Sequence, residues 1–166
     1  DIYESILDFI SNICKSAGSE SPKYVGELLE PFLGYAKHQL FRFRSYGIRF
    51  LGIFVSASKE KLDHNIQICS LELTIEMIQN DLDYAGYYAL KKIAAGNPDL
   101  IKPYSSKLYA ILLEKLSLPF IKTEKMLMMR DNCISAFAIL VLYVFEDIEI
   151  YDFLPTALQA LPLALD

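Results

Sequence analysis

Three polar side chains near the middle of the chain have the spacing of a single helix face. Glu72, Glu76 and Gln79 recur at intervals of four and three residues, which places them on one side of an α-helix. The opposite side of the same helix carries an apolar stripe made of Ile68, Leu71, Ile75 and Ile78. Carboxylates on an exposed helix face attract segments rich in lysine and arginine. The chemistry predicted here is therefore ionic binding of a basic partner.

Other carboxylates occupy comparable positions in three further segments. These additional candidate binding residues are Glu27, Glu30, Glu114 and Asp152. If the helices that carry them stack side by side, their carboxylates form a ladder of negative potential on one inner surface. The alternative is that each one belongs to an ordinary solvated helix face. The sequence leaves both interpretations open.

The chain contains no recognisable catalytic motif. A glycine-rich phosphate loop, a nucleophile elbow and a paired-histidine zinc signature are all absent from the sequence. Cys14, Cys69 and Cys133 are widely spaced among apolar residues, which favours buried, reduced thiols of the cytosol or nucleus over a disulfide or a nucleophile. His38 and His64 stand alone, so no zinc site is expected. We predict a protein that is not an enzyme and holds no cofactor or metal.

The composition narrows the classes of partner. The net charge is −5 and the pI is near 5.1, which disfavours nucleic acid because phosphates demand clustered cations. Residues 133–145 contain one polar side chain, Ser135. This run is shorter than the roughly 20 residues of a membrane span, so we predict no membrane insertion and a helix packed between layers. The hydrophobic content of 53% predicts surfaces covered by a partner or by more of a longer protein.

Four segments repeat one pattern of apolar spacing at offsets of about 40, 40 and 49 residues. Each unit consists of two amphipathic helices, and no segment alternates in the manner of a strand. The units are predicted at 2–38, 41–79, 81–117 and 130–166, with an insertion at 118–129. A helix pair with this period is typical of HEAT repeats. The predicted fold is therefore a single all-α domain over 1–166, an α-α superhelix of about four antiparallel helix pairs.

Local signals indicate where these helices begin, end and bend. Ser21 and Asn97 each precede a proline and are expected to be helix N-caps, while Gly18 is expected to end the first helix. Three prolines fall within second helices and are expected to bend them: Pro31, Pro103 and Pro155. The first helix is expected to place one apolar stripe on a single face: Ile6, Phe9, Ile10 and Ile13.

Basic and aromatic residues alternate at the start of the second unit. The cluster comprises Phe41, Arg42, Phe43, Arg44, Arg49 and Phe50. Such a pattern can stack nucleic-acid bases, but the net negative charge and the small number of arginines oppose that interpretation. We expect the phenylalanines to face the core and the arginines to face solvent or to form salt bridges with the neighbouring repeat.

Two stretches of the C-terminal half resemble the importin-β (karyopherin-β) family, and most closely its large beta-three type. The stretches are residues 83–116 and 130–166. Within them the most specific likenesses are DNCISA at 131–136 and the ending LPLALD at 161–166. Residues 46–78 resemble the preceding repeat of the family more loosely.

The resemblance implies that this chain is a HEAT-repeat fragment from the C-terminal half of a nuclear import receptor. Such a receptor binds protein cargo with basic localisation signals on its concave face, where the seven candidate residues would lie. It also binds the Ran GTPase in its GTP form, which releases the cargo, and contacts phenylalanine-glycine nucleoporins on its convex face. It shuttles between cytoplasm and nucleus. The alternative is a HEAT scaffold of another class, such as a phosphatase regulatory subunit or a chromosome-organising subunit.

Overall fold

A computed structural model describes residues 2–80, 84–118, 123–145 and 153–160. Within these ranges all regular secondary structure is helical, so the prediction of an all-α chain is confirmed. The α-helices are α1 (Ile2–Ala17), α2 (Ser21–Val25), α3 (Leu29–Ala36), α4 (Phe41–Ser58), α5 (His64–Asn80), α6 (Tyr84–Gly96), α7 (Pro98–Ile101), α8 (Ser105–Ser117), α9 (Glu124–Tyr143) and α10 (Phe153–Ala160). Short 3-10 turns lie at Gly18–Glu20, Gly26–Leu28, Lys59–Lys61 and Lys102–Tyr104.

The helices pack in two rows. In the first row α1 contacts α4, α4 contacts α6, and α6 contacts α9. In the second row α3 packs on α4, α5 packs on α4 and α6, and α8 packs on α5, α9 and α10. Each helix therefore meets mainly the helices of its own unit and of the adjacent units. This serial packing is compatible with a helical repeat.

Helix α4 lies at the centre of the described core because α1, α3, α5 and α6 all contact it. Every residue from Ser45 to Val55 is buried. The Phe50 ring stacks on that of Phe32 in α3 with ring centroids 4.2 Å apart, and on that of Phe54 at 5.4 Å. Burying a phenylalanine side chain contributes roughly 1.5–3 kcal/mol. Stacked rings along one helix thus hold the two rows together.

The close approach of α4 and α6 depends on Gly52. A Cβ atom placed on Gly52 would lie 2.5 Å from Ala89 Cα and 2.7 Å from Ala89 Cβ. Those distances are well below van der Waals contact. A side chain at position 52 would therefore push the first-row helices apart.

Helix α1 buries a different stripe from the predicted one. Leu7, Ile10 and Cys14 are buried, whereas Ile6 is 41% exposed and Phe9 is 66% exposed. The predicted face was wrong because first-row helices in this structure flank α1 on one side only, where α4 lies. The exposed apolar residues beside it form a continuous feature that we call the α1 strip: Ile2, Ile6, Phe9 and Tyr24.

The second helices of two units are broken rather than bent. A 3-10 turn at Gly26–Leu28 separates α2 from α3, and Pro31 is the third residue of α3. The 3-10 turn Lys102–Tyr104, which contains Pro103, separates α7 from α8. Proline has no N–H to donate and clashes with the preceding turn. The chain therefore starts a new helix near each of these prolines.

Two of the predicted caps act differently from expectation. Ser21 is the first residue of α2 and not its N-cap, and its hydroxyl donates to the carbonyl of Gly18 in the preceding 3-10 turn at 2.5 Å. Asn97 does precede α7, but its side chain donates to Gln67 Oε1 at 2.8 Å instead of capping the helix. Gly18 follows the last residue of α1 with φ of 53°, the left-handed conformation expected of a C-terminal glycine.

Helix α9 begins earlier than the sequence indicated. It starts at Glu124, so the second half of the predicted insertion 118–129 is helical. The Thr123 side chain provides the cap by accepting from the amide of Met126 at 3.3 Å. A threonine cap followed by methionines continues the helix, since methionine is a strong helix former.

The apolar run inside α9 is buried on one face only. Cys133, Ala136, Phe137 and Leu140 are buried against α6 and α8, while Leu142 is 68% exposed. Among the described residues α9 is the one helix long and apolar enough to cross a membrane, and 39% of its apolar window is buried inside the protein. Core helices of globular proteins meet the same length and composition. Helix α9 packs one face on α6 and α8, so the expectation of a helix packed between layers was wrong for its other, exposed side.

Candidate protein-binding surface

The exposed face of α5 carries the predicted carboxylates. Glu72, Glu76 and Gln79 are all exposed, and Leu71, Ile75 and Ile78 are buried on the adjoining side of the helix. The helix contains no lysine or arginine along its whole length. We call the exposed set Glu72, Glu76 and Gln79 the acidic face of α5. No cation within the helix offsets the negative charge of Glu72 and Glu76.

Buried polar contacts fix the position of α5. The Gln67 side-chain amide donates to the carbonyls of Lys59 at 3.0 Å and Leu62 at 2.7 Å, and its oxygen accepts from Asn97. At the other end of the helix the buried Lys115 ammonium donates to the Gln79 carbonyl at 2.6 Å. These contacts join α5 to the following unit at both ends. Periodicity does not reveal them, because the partners are distant in sequence.

The start of α5 is also set by its sequence. Asp63 Oδ1 accepts from the backbone amides of Asn65 at 2.9 Å and Ile66 at 3.3 Å. This is the aspartate cap that satisfies free N–H groups of the first turn. The cap adds a carboxylate at the end of the helix where the macrodipole favours negative charge.

The two earlier candidates lie in the second row of the first unit. Glu27 is in the 3-10 turn Gly26–Leu28, Glu30 is in the first turn of α3, and both are exposed. Neither α3 nor that turn contains a lysine or arginine. The acidic character predicted for the second row therefore extends over α3 and α5.

The third unit does not extend the predicted row of carboxylates, because its helix α8 carries charges of both signs. Glu114 is exposed on α8, but the same helix carries the exposed Lys107 and the buried Lys115. A solvated face of mixed sign is the better description of α8. Asp152, the seventh candidate, lies outside the described residues.

Glu76 is the candidate that the fold brings next to basic groups. It lines a groove shared with Lys37, His38 and Arg44, at the junction of α3, α4 and α5. The Arg44 guanidinium donates to the carbonyls of His38 at 3.2 Å and Gln39 at 3.1 Å. The acidic face of α5 therefore ends at a basic border on this side, which limits where a basic partner can lie.

Arg49 forms a salt bridge with the preceding helix pair, which is one of the two outcomes expected for the arginines of this cluster; the other was exposure to solvent. It is buried in α4, and its Nη1 donates to Glu4 Oε1 of α1 at 2.6 Å. Its guanidinium also lies over the rings of Tyr84 at 5.2 Å and Tyr88 at 5.5 Å in α6. The hydrogen bond from Arg49 holds the pKa of Glu4 below its ordinary value.

The thiols differ in their surroundings. Cys14 and Cys133 are buried, but Cys69 is half-buried, so the expectation of three buried thiols was wrong for Cys69. Burial raises the pKa of Cys14, and it raises the pKa of Cys133 to about 12. Thiols with raised pKa values hold their protons at neutral pH and are poor nucleophiles. Tyr87 is buried beside Cys133, and burial raises the pKa of its hydroxyl as well.

No cluster of three or more His, Cys, Asp or Glu side chains in the described ranges is arranged to hold a metal ion. The candidate surface is a set of exposed charges on packed helices. No family model, no curated protein and no solved structure matches this chain. What the surface does has to be inferred from its own residues.

Proposed function

We propose that this chain is a segment of a HEAT-type solenoid and that it binds a basic segment of another protein along the acidic face of α5. The observation that carries the proposal is that α5 exposes two carboxylates on one face and contains no lysine or arginine. Glu27 and Glu30 add two exposed carboxylates in the first unit, on the far side of the basic border formed by Lys37, His38 and Arg44. The mechanism is binding without covalent chemistry.

The serial two-row packing supports the solenoid part of the proposal. In a helical-repeat array each unit buries its apolar faces against its neighbours, and units can be added at either end. The α1 strip is an apolar surface of the kind on which another helix pair of such an array packs. The broken second helices allow the second row to curve.

The energetics favour several weak contacts over one strong one. An exposed ion pair contributes roughly 0.2–1 kcal/mol and is screened by salt. The two carboxylates on α5, together with Glu27 and Glu30, therefore give binding in the millimolar range or weaker when a basic segment engages them together. A partner with regularly spaced lysines or arginines fits this requirement.

The more specific proposal is a nuclear import receptor of the importin-β family. It rests on the sequence resemblance at 83–116 and 130–166. In that role the basic segment is a cargo localisation signal, Ran in its GTP form releases it by changing the curvature of the superhelix, and nucleoporin contacts carry the receptor between cytoplasm and nucleus. The alternative is a HEAT scaffold of another class, which binds its partner without Ran.

A peptide titration tests the binding proposal. Fluorescence anisotropy of a labelled lysine- and arginine-rich peptide is measured against the 166-residue chain and against Glu72→Gln/Glu76→Gln. We expect the double substitution to weaken binding about fivefold, the equivalent of losing two exposed ion pairs. The matched control is Glu124→Gln/Asp131→Asn, which neutralises two exposed carboxylates on α9. Equal weakening by both double variants would refute a localised site.

A second experiment separates the receptor from the scaffold. The protein that contains this segment is immobilised and exposed to purified Ran loaded with GTP or with GDP. Selective capture of the GTP form is the expected result for an import receptor. Equal capture of both forms, or none, would leave the scaffold of another class.

A further inference from the structure

A second charged surface of opposite sign lies where the C-terminal ends of α1 and α4 meet α6. Lys15, Lys59 and Lys92 line this cleft, and its floor includes Ile53 and Ala57. None of the acidic-face residues lines it. We call the cleft formed by these five residues the basic groove. Its residues come from three elements that are distant in sequence, so no local sequence pattern predicts it.

Lys92 lies over the Tyr88 ring at 5.5 Å, and the described part of the chain pairs none of the three groove lysines with a carboxylate. Lys23 and Lys61 both pair with Glu20, and Lys102 pairs with Asp99. Among the described residues no ion pair involves the groove lysines. The groove also contains the Glu60 carboxylate, and helix C-termini each carry about half a negative charge. Three ammonium groups outweigh these, so the cleft is locally positive on a chain of net charge −5.

The backbone of Lys59 supplies an independent observation. This residue has φ of 48° and ψ of −133° directly after α4. Among the described residues it is the one non-glycine residue with positive φ. A residue with a Cβ atom is strained there, and glycine is the residue that such a conformation favours. Glycine is the usual residue at such a helix end, so the conformation alone does not account for a lysine at this position.

We propose that the basic groove binds an acidic peptide segment of a partner protein. Carboxylates of the segment would pair with Lys15, Lys59 and Lys92, and one apolar side chain would lie on Ile53 and Ala57. Charge complementarity identifies the occupant as acidic, and the apolar floor favours a peptide over a bare anion. The proposal is independent of the acidic face of α5, which attracts partners of the opposite charge.

A nucleic acid fits the groove less well than a peptide does. Its phosphates are spaced along an extended backbone and require a long basic track. The groove offers three cations beside the Glu60 carboxylate, on a chain that is acidic overall. Single-stranded binding also uses exposed aromatic platforms, and no aromatic residue lines this groove.

The test is a titration of the 166-residue chain with a labelled peptide of aspartate and glutamate residues around one leucine. Binding is expected to weaken as salt rises. Lys15→Gln/Lys59→Gln/Lys92→Gln should weaken it about tenfold, as expected for three partly exposed ion pairs. The control is Lys37→Gln/Lys107→Gln/Lys125→Gln, which removes three exposed lysines elsewhere and should change the affinity less than twofold.

Lys59→Gly distinguishes binding from a structural role. Glycine relieves the positive φ, so the melting temperature should stay the same or rise while peptide affinity falls several-fold. A fall in melting temperature with unchanged affinity would show that the lysines only neutralise helix ends, and would overturn the proposal. So would equal binding of an asparagine and glutamine peptide, equal binding of single-stranded RNA, or no binding of the acidic peptide.

Discussion

Arg49 joins three first-row helices through one guanidinium group. It donates to Glu4 on α1, belongs to α4, and lies over two tyrosine rings of α6. Tyrosine faces attract a cation most strongly where water is excluded. The cluster FRFRSYGIRF showed basic and aromatic residues in alternation, but which arginine turns inward depends on the partners that α1 and α6 supply.

The Glu4–Arg49 contact predicts a pH dependence of stability. Because the folded pKa of Glu4 lies below its ordinary value of 4.5, the contact contributes stability above that pH and loses it as pH falls through the folded pKa. Glu4→Gln should lower the free energy of unfolding by about 1 kcal/mol at pH 7. Urea unfolding should show that the difference in the free energy of unfolding between Glu4→Gln and the unsubstituted chain is smaller at pH 3 than at pH 7.

The exposed Glu114→Gln is the control for this comparison, because its carboxylate faces solvent on α8. It should leave unfolding nearly unchanged at both pH values. If Glu4→Gln lowered the free energy of unfolding equally at pH 7 and pH 3, the contact would not be ionic.

The thiols should react with a thiol reagent at different rates. Cys69 is half-buried, whereas Cys14 and Cys133 are buried with raised pKa values. We expect one fast modification that Cys69→Ser removes, and two slow ones limited by opening of the fold. Mass spectrometry of the labelled chain identifies the sites, and fast labelling of Cys133 would show that α9 is not packed as described.

The contact between α4 and α6 can be tested with a single methyl group. Gly52→Ala places a Cβ atom 2.5 Å from Ala89 Cα, so we expect a loss of about 1–3 kcal/mol in the free energy of unfolding. The measurement is chemical denaturation monitored by helical circular dichroism. A neutral result would mean that the two helices are further apart.

Gly34→Ala is the matched control because the same change meets open space. Gly34 lies inside α3, and nothing lies within 4 Å of an added Cβ atom. Alanine is a better helix former than glycine, so this variant should be more stable by about 0.5–1 kcal/mol. If Gly52→Ala lowers the free energy of unfolding and Gly34→Ala raises it, the destabilisation at position 52 comes from packing.

Elements with a strong period and a clear cap were predictable from the sequence. The second helix of the predicted unit 41–79 is found as α5 at His64–Asn80, because its apolar stripe is regular and Asp63 caps it. The face of α1 was not predictable, since the side that is buried depends on which neighbours are present. The basic groove could not be foreseen, because its lysines come from three separate elements.

At the scale of the whole molecule, the α1 strip predicts how the isolated chain behaves. Clustered exposed apolar residues promote association. We expect concentration-dependent self-association in analytical ultracentrifugation, reduced by Ile6→Ser/Phe9→Ser with little change in melting temperature, because both residues are already exposed. Met128→Ser, at another exposed apolar position, is the control. Unaltered association of the double variant would place the contact elsewhere.

The molecule has two surfaces of opposite charge on one set of packed helices. The acidic face of α5 belongs to the second row, and the basic groove lies between first-row helices. Helical-repeat proteins bind partners along extended surfaces of this type. The two proposals together predict that a basic partner and an acidic partner bind the same segment at separate places.

The most direct measurement is a map of where a basic peptide binds. Backbone amide NMR shifts of the 166-residue chain are recorded as a lysine- and arginine-rich peptide is added. We expect the largest shifts on the exposed side of α5, at Glu72, Glu76 and Gln79, with smaller ones at Glu27 and Glu30. Shifts confined to other helices, or none at saturating peptide, would contradict it.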